Sequence, residues 1–265
     1  MIEAPLSVIC SQSTDRRLFM HKIIWNGVSS DTIGIRIERA ARIIRPRRKA
    51  DVVSIAGRNG DIIFMQDAWE NYSQPYEIFF GTGADLSAET AADAVSAWLH
   101  SASGYARLED TYEPDVYRMA YYVEEQDIEN AITEYGRETI HFVCAPERFL
   151  KSGETAVTKS SSNTTMTNPT QYASRPLIRV NGSGSGTLTI AGSAMTYSVS
   201  ITGISSYIYL DCDEQNAYKT AGTNLNNNVT ITNGVDYPRL SAGSNTITWT
   251  GGITSLQITP RWYRI

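Results

Sequence analysis

Cysteine is scarce in this 265-residue chain, and what there is does not cluster. Cys10, Cys144 and Cys212 are an odd number, far apart, with no Cys-x-x-Cys, which argues against a disulfide framework or a zinc site. The three histidines (His21, His100, His141) are equally scattered. No apolar run approaches the roughly 20 residues that span a bilayer. The opening Met1-Ile2-Glu3-Ala4-Pro5 lacks a charged stretch followed by an apolar one, so no secretory signal is expected. Gly-x-Ser-x-Gly, His-Glu-x-x-His and the phosphate-binding P-loop are all missing, and no cofactor signature is present. These absences predict a soluble, non-catalytic protein made in a reducing compartment.

What is present is uneven. Residues 1–150 hold 15 Lys and Arg against 23 Asp and Glu, whereas residues 151–265 hold 8 against 5 and are rich in Gly, Ser, Thr and Asn. The shift predicts two domains, 1–150 and 151–265.

The first part reads as α+β, mostly strand with one clear helix. His21–Val28 is a short apolar run closed by Asn26-Gly27, a strand-and-turn signal. Ile33, Ile35 and Ile37 alternate with polar positions, as in a half-buried strand. Asp51–Ile55 leads into a glycine-flanked turn, Ala56–Asp61, and Glu77–Gly81 is a further strand. Ser87 is placed to cap a helix whose apolar face is Ala91, Ala94, Val95, Trp98, Leu99 and Ala102, with Gly104 as its stop. Tyr105–Leu108 and Tyr117–Val123 flank a turn at Glu113-Pro114-Asp115, and Thr139–Cys144 is a last strand ended by Ala145-Pro146.

The second part reads as an all-β sandwich. Short runs recur without a helix: Leu177–Val180, Thr187–Ile190, Tyr197–Ile201, Tyr207–Leu210, Val229–Ile231, Asn245–Trp249 and Leu256–Thr259. Asn181-Gly182 reads as a tight turn. The Ser/Thr-rich tract 152–171 is either a linker or an edge strand.

Four groups of residues invite a chemical reading. Glu124, Glu125, Asp127 and Glu129 could supply an acid and a base for hydrolysis, but such a cluster is ordinarily a solvated surface loop. Asp211-Cys212-Asp213-Glu214 has carboxylates suited to a hard cation, without the spacing of a calcium loop, and otherwise reads as a strand-end turn. Arg39, Arg42, Arg45, Arg47, Arg48 and Lys49 form a basic arm, interrupted by Pro46. On an acidic domain such an arm suits contact with another copy better than nucleic acid; a solvated loop is the plainer alternative. The late aromatics Tyr197, Tyr207, Tyr209, Tyr218, Tyr237, Trp249, Trp262 and Tyr263 could stack sugars or fill a core, and alternation places Trp249 inside with Ile247.

Several segments, in this order, resemble the distal tail (Dit) proteins of long-tailed, siphovirus-type bacteriophages and their prophage relatives. They are Ile23–Val28, Val53-Ser54-Ile55-Ala56-Gly57-Arg58-Asn59-Gly60-Asp61, Ala97-Trp98-Leu99 with Gly104–Leu108, Glu113–Ala120, Phe142-Val143-Cys144-Ala145-Pro146-Glu147-Arg148-Phe149, Tyr207–Asp213 and Tyr237–Ile247. The specificity lies in their colinear order over about residues 20–265; some 20 residues precede the usual start. The resemblance implies an N-terminal ring-forming domain and a C-terminal galectin-like or carbohydrate-module-like sandwich. It implies a non-enzymatic hub in the baseplate of the virion tail, made in the bacterial host cytoplasm. Six copies would form a homohexameric ring with a lumen for DNA passage. Its partners would be the tail tube protein and the tip proteins, namely the tail-associated lysin or receptor-binding proteins. Some relatives carry an inserted carbohydrate-binding module, for which 265 residues leave no room. The alternative function is a saccharide-binding module for host cell-wall polysaccharide, acting through the C-terminal sandwich.

Overall fold

The computed structural model describes residues 21–37, 42–81, 88–124, 129–132, 135–220 and 222–265. Ser87 lies outside them. The chain is β-rich, with one α-helix among the described residues and every strand pairing antiparallel.

The expected opening hairpin forms from β1 (Ile23–Trp25) and β2 (Val28–Ser29). Asn26 (φ 47°) and Gly27 (φ 82°) give the two left-handed residues that a two-residue turn with the correct strand twist needs. The first sheet adds β3 (Ile35–Ile37), β6 (Tyr72–Gly81), β7 (Ala106–Asp110), β8 (Val116–Tyr121) and β10 (Tyr135–Leu150) in the order β2-β1-β7-β8-β10-β6-β3; β9 (Glu129–Ile132) also pairs with β10. Helix α1 (Ala88–Leu99) covers it, burying Val95, Trp98 and Leu99. Two indoles fasten this layer: Trp25 Nε1–H donates to the Leu99 carbonyl (3.1 Å) and Trp98 Nε1–H to the Val28 carbonyl (3.2 Å). Two details depart from the periodicity. Ala94 is exposed, because the sheet meets only a narrow stripe of the helix, and the helix stops at Leu99, well before Gly104. The last strand does not end at Ala145-Pro146 either. It runs to Leu150, with a register shift between Cys144 and Arg148 that accommodates a proline lacking an N–H.

The second sheet is built on three long strands, β13 (Leu177–Ala191), β14 (Thr196–Asp211) and β17 (Gly243–Thr259). Each unites two of the short runs expected from sequence. The sheet curls, so both ends of each strand line one core, with Ile178, Val180, Leu188, Ile190, Ile247 and Ile258 in one buried cluster. Glycines allow the corner: Gly251 has φ +73°, and a Cβ on Gly252 would stand 1.7 Å from the Ser183 carbonyl oxygen. The Asn181-Gly182 turn is therefore a corner within β13. Bulges at these corners also switch the buried parity: Tyr197, Val199 and Ile201 give way to Ile208 and Leu210 in β14, and Ile247 and Trp249 to Leu256 and Ile258 in β17. The Ser/Thr tract supplies two edge strands, β11 (Val157–Lys159) and β12 (Thr164–Asn168), both paired with β17. On the other side, β15 (Asn216–Tyr218) and β16 (Val229–Asn233) pair with β14.

The chain then returns. β18 (Tyr263–Arg264) pairs with β10, and Leu150 N–H donates to the Trp262 carbonyl at 2.8 Å. An aromatic row, Tyr117–Phe149–Tyr263–Tyr172, runs across this seam with ring centroids 5.3, 6.2 and 5.8 Å apart.

Candidate functional site

One element belongs to neither sheet. Among the described residues, β4 (Arg48–Val53) and β5 (Ile62–Trp69) pair only with each other, joined through the glycine-flanked turn at Ala56–Asp61. Val52 opposes Ile63 and Ala50 opposes Met65, so one face of this ribbon is wholly apolar along those two rows. On the other face Val53 and Phe64 join Ile62 and Asp51. Val52 is 58% exposed, Ile63 60%, Phe64 58% and Met65 57%. Two strands with no apolar layer behind them are marginal in water. Clustered large apolar side chains left in solvent mark a surface that another molecule covers.

The basic arm leads into this ribbon, and the structure gives half of its charges a partner in the same chain. Arg45 stands 3.6 Å from Glu113, Arg47 pairs with Glu70, and Arg48 pairs with Asp67 while donating to the Gln66 carbonyl at 2.9 Å. These pairs are open to solvent; Arg47 is 82% exposed. Arg42 fixes the arm by backbone, its carbonyl accepting from Gln74 Nε2 at 3.0 Å. The Arg42 and Lys49 side chains are exposed and have no carboxylate partner among the described residues. Arg39 lies outside the described residues.

Beneath the arm lies a buried polar network. Glu113 accepts from Arg118 and from Arg148 Nη1 (2.8 Å); Arg118 also reaches Asp110 (3.0 Å) and the Tyr72 hydroxyl (3.1 Å). Asp110 in turn accepts from the Tyr76 hydroxyl (2.7 Å) and the N–H groups of Tyr112 and Glu113. Burial pushes the Tyr72 hydroxyl and the neighbouring Cys144 thiol each up to about 12, so both stay neutral. Cys144 is thus an inert core thiol.

The structure places the other candidate groups as follows. Asp211 accepts two bonds from the Arg261 guanidinium (2.7 and 2.9 Å) and the N–H groups of Asp213 and Glu214, which uses its oxygens in a turn. Asp213 pairs with Arg175. Glu124 meets His141 Nδ1 at 3.0 Å, both partly exposed, while Glu125 and Asp127 lie outside the described residues, as does the Glu129 side chain. Of the late aromatics, Tyr197, Tyr237, Trp249 and Trp262 are buried, Trp249 beside Ile247 as alternation indicates. Tyr207, Tyr209 and Tyr218 face outward.

Sequence reading missed the ribbon's exposure. The consecutive apolar residues Ile62-Ile63-Phe64-Met65 are its only trace, since a run apolar on both faces of a strand must be covered on both.

No protein-family model matches the chain, and no curated protein sequence matches it. Solved structures do. The chain is similar to a structure described as the crystal structure of phage SPP1 Dit (gp 19.1) protein, "a Paradigm of Hub Adsorption Apparatus in Gram-positive Infecting Phages". The TM-score is 0.70 at 13% identity, over 92% of this chain and 99% of that one. The two chains share their fold.

Proposed function

We propose that this chain is a structural tail hub of a long-tailed bacteriophage, a distal tail protein of the virion tip without enzymatic activity. One observation carries the reading: the chain has the fold of a phage hub adsorption protein along 92% of its length. The exposed ribbon supports self-assembly, because a second copy of the same chain offers an apolar partner for Val52, Ile63 and Met65 wherever the first does. In this proposal six copies close a ring through residues 1–150, with the ribbon and the exposed cations Arg42 and Lys49 at the subunit contacts. The lumen lets DNA pass, the tail tube sits on one side, and residues 151–265 face the tip proteins.

Native mass spectrometry of the purified chain, alone and mixed with its tail tube protein, tests the ring. Six copies of 29.3 kDa give a species of about 176 kDa. A monomer under both conditions would overturn the proposal.

A further inference from the structure

The inner face of the seam carries more positive charge than carboxylates neutralise. Arg148 of β10 is the direct cross-strand partner both of Arg118 on β8 and of Arg264 on β18. The three side chains therefore leave three adjacent strands abreast, on the face opposite Phe149 and Tyr263. Partners of this kind have Cβ atoms roughly 4.5–5.5 Å apart, and like charges set so are destabilising. Arg45 adds a fourth cation from the arm, 3.6 Å from Glu113.

Two carboxylates answer these four guanidiniums. Glu113 is shared by Arg45, Arg118 and Arg148, and Asp110 serves Arg118. Arg264 is exposed and has no carboxylate partner among the described residues. Burial, with the charges of Arg45 and Arg118 added to it, outweighs Glu113 and holds the Arg148 guanidinium below its ordinary range. An anion placed between Arg148 and Arg264 relieves both.

The seam leaves room for one. Arg148 and Arg264 line a cleft of about 330 Å³, walled on its other side by Thr170, Gln171 and Tyr172, and no acidic side chain lines it among the described residues. That volume falls within the roughly 300–1,000 Å³ of small-ligand sites. Arg148 is held in place, with 7% of its side chain exposed: Nη1 donates to Glu113 at 2.8 Å and Nη2 to the Ile265 carbonyl at 3.2 Å. Planar guanidiniums suit the paired oxygens of phosphates and carboxylates.

We propose that this cleft is an oxyanion site, taking a phosphate or carboxylate group between Arg148 and Arg264 and so clamping β18 onto β10. It lies within a single chain, so it stands or falls independently of the hub assembly.

Calorimetry and thermal unfolding of the full chain test it, with ionic strength held constant by sodium chloride. The probes are inorganic phosphate and succinate, which read the phosphoryl and carboxylate sources separately. The expected result is that at least one binds with a dissociation constant below about 10 mM and raises the unfolding midpoint as its concentration passes that value. Arg264→Gln, at an exposed position, should weaken this binding about tenfold. Arg36→Gln, which removes an exposed charge from β3, should bind like the parent. The proposal is overturned if neither probe binds, if Arg264→Gln binds unchanged, or if both variants weaken binding alike, since the ion then answers only to net charge. It is also overturned if only a chain lacking Ile265 binds, because Ile265 then fills the site itself.

Discussion

Arg118 and Asp110 face each other at 3.0 Å with 4% and 1% of their side chains exposed, a fully desolvated pair beneath a solvent-facing basic arm. Its worth lies in what happens when one half is removed. Arg118→Leu leaves the Asp110 carboxylate buried without its cation, which is expected to lower unfolding free energy by about 3–5 kcal/mol. Arg48→Ala, which breaks a solvent-exposed pair with Asp67, should change it by less than about 1 kcal/mol. Urea unfolding followed by tryptophan fluorescence measures both.

The apolar face of the β4–β5 ribbon predicts a separation between assembly and stability. Ile63→Asp with Met65→Asp places two carboxylates where a neighbouring copy is proposed to pack. Native mass spectrometry should lose the proposed hexamer of about 176 kDa, while the monomer's unfolding free energy stays within about 0.5 kcal/mol, because both side chains are already in solvent.

For the arm, Arg45 is a poor probe, since reversing it would set two carboxylates side by side at Glu113. Arg47→Glu with Arg48→Glu is cleaner. Assembly of this double variant should be weaker than the parent's, and the parent's own assembly should weaken as salt is raised from 0.05 to about 0.5 M. A variant that assembles and responds to salt like the parent would make the arm a solvated loop.

Gly252→Ala tests the corner of the second sheet. The added methyl would collide with the Ser183 carbonyl, so β17 and β13 must separate where the sheet curls. A loss of about 3 kcal/mol or more in thermal unfolding is expected, at the large end for one substitution. Ala substitution at Gly184, where nothing lies within 4 Å but φ is +77°, should be milder.

Asp211 predicts a pH signature. Burial disfavours its ionised form, but the Arg261 guanidinium and two backbone N–H groups outweigh burial and hold the carboxyl below its ordinary value of 3.8. A carboxyl lowered by folding stabilises the native state above pH 3.8, and that contribution fades as pH falls through the lower folded value. Asp211→Asn should therefore unfold at a lower temperature than the parent near pH 6, with the gap closing toward pH 3.

How much of this was readable in advance depended on whether a signal was local. Asn26-Gly27 specifies its own hairpin, and Val95, Trp98 and Leu99 specify a helix face, because neighbours a few residues away decide each. The long strands were not readable: Asn181-Gly182 and Gly251-Gly252 carry turn chemistry, yet they bend a continuing strand, and the decision rests on partners some seventy residues away. Bulges compounded this by reversing the inward parity midway along β14 and β17. Pro146 likewise looks like a stop and is instead absorbed where pairing is already interrupted. The outward tyrosines were named but not separated from Tyr197, Tyr237, Trp249 and Trp262, since parity holds only within one unbroken ladder. The ribbon was missed for a different reason: an apolar strand reads as core, and only three dimensions reveal that Val52, Ile63, Phe64 and Met65 stand exposed among the described residues.

The strand that returns at Tyr263–Arg264 has a bearing on how the protein is made. Arg148 donates to the Ile265 carbonyl across a separation of 117 residues, within the seam that pairs Phe149 with Tyr263. On the ribosome the first sheet therefore waits, its Arg148–Phe149 edge open, until the whole second sheet has been translated. Such an edge is a template for wrong pairing between nascent chains. Fast local closure of the second sheet, whose β13–β14 hairpin needs only neighbouring residues, brings β18 into place soon after it is made, and its pairing with Arg148–Phe149 closes the open edge.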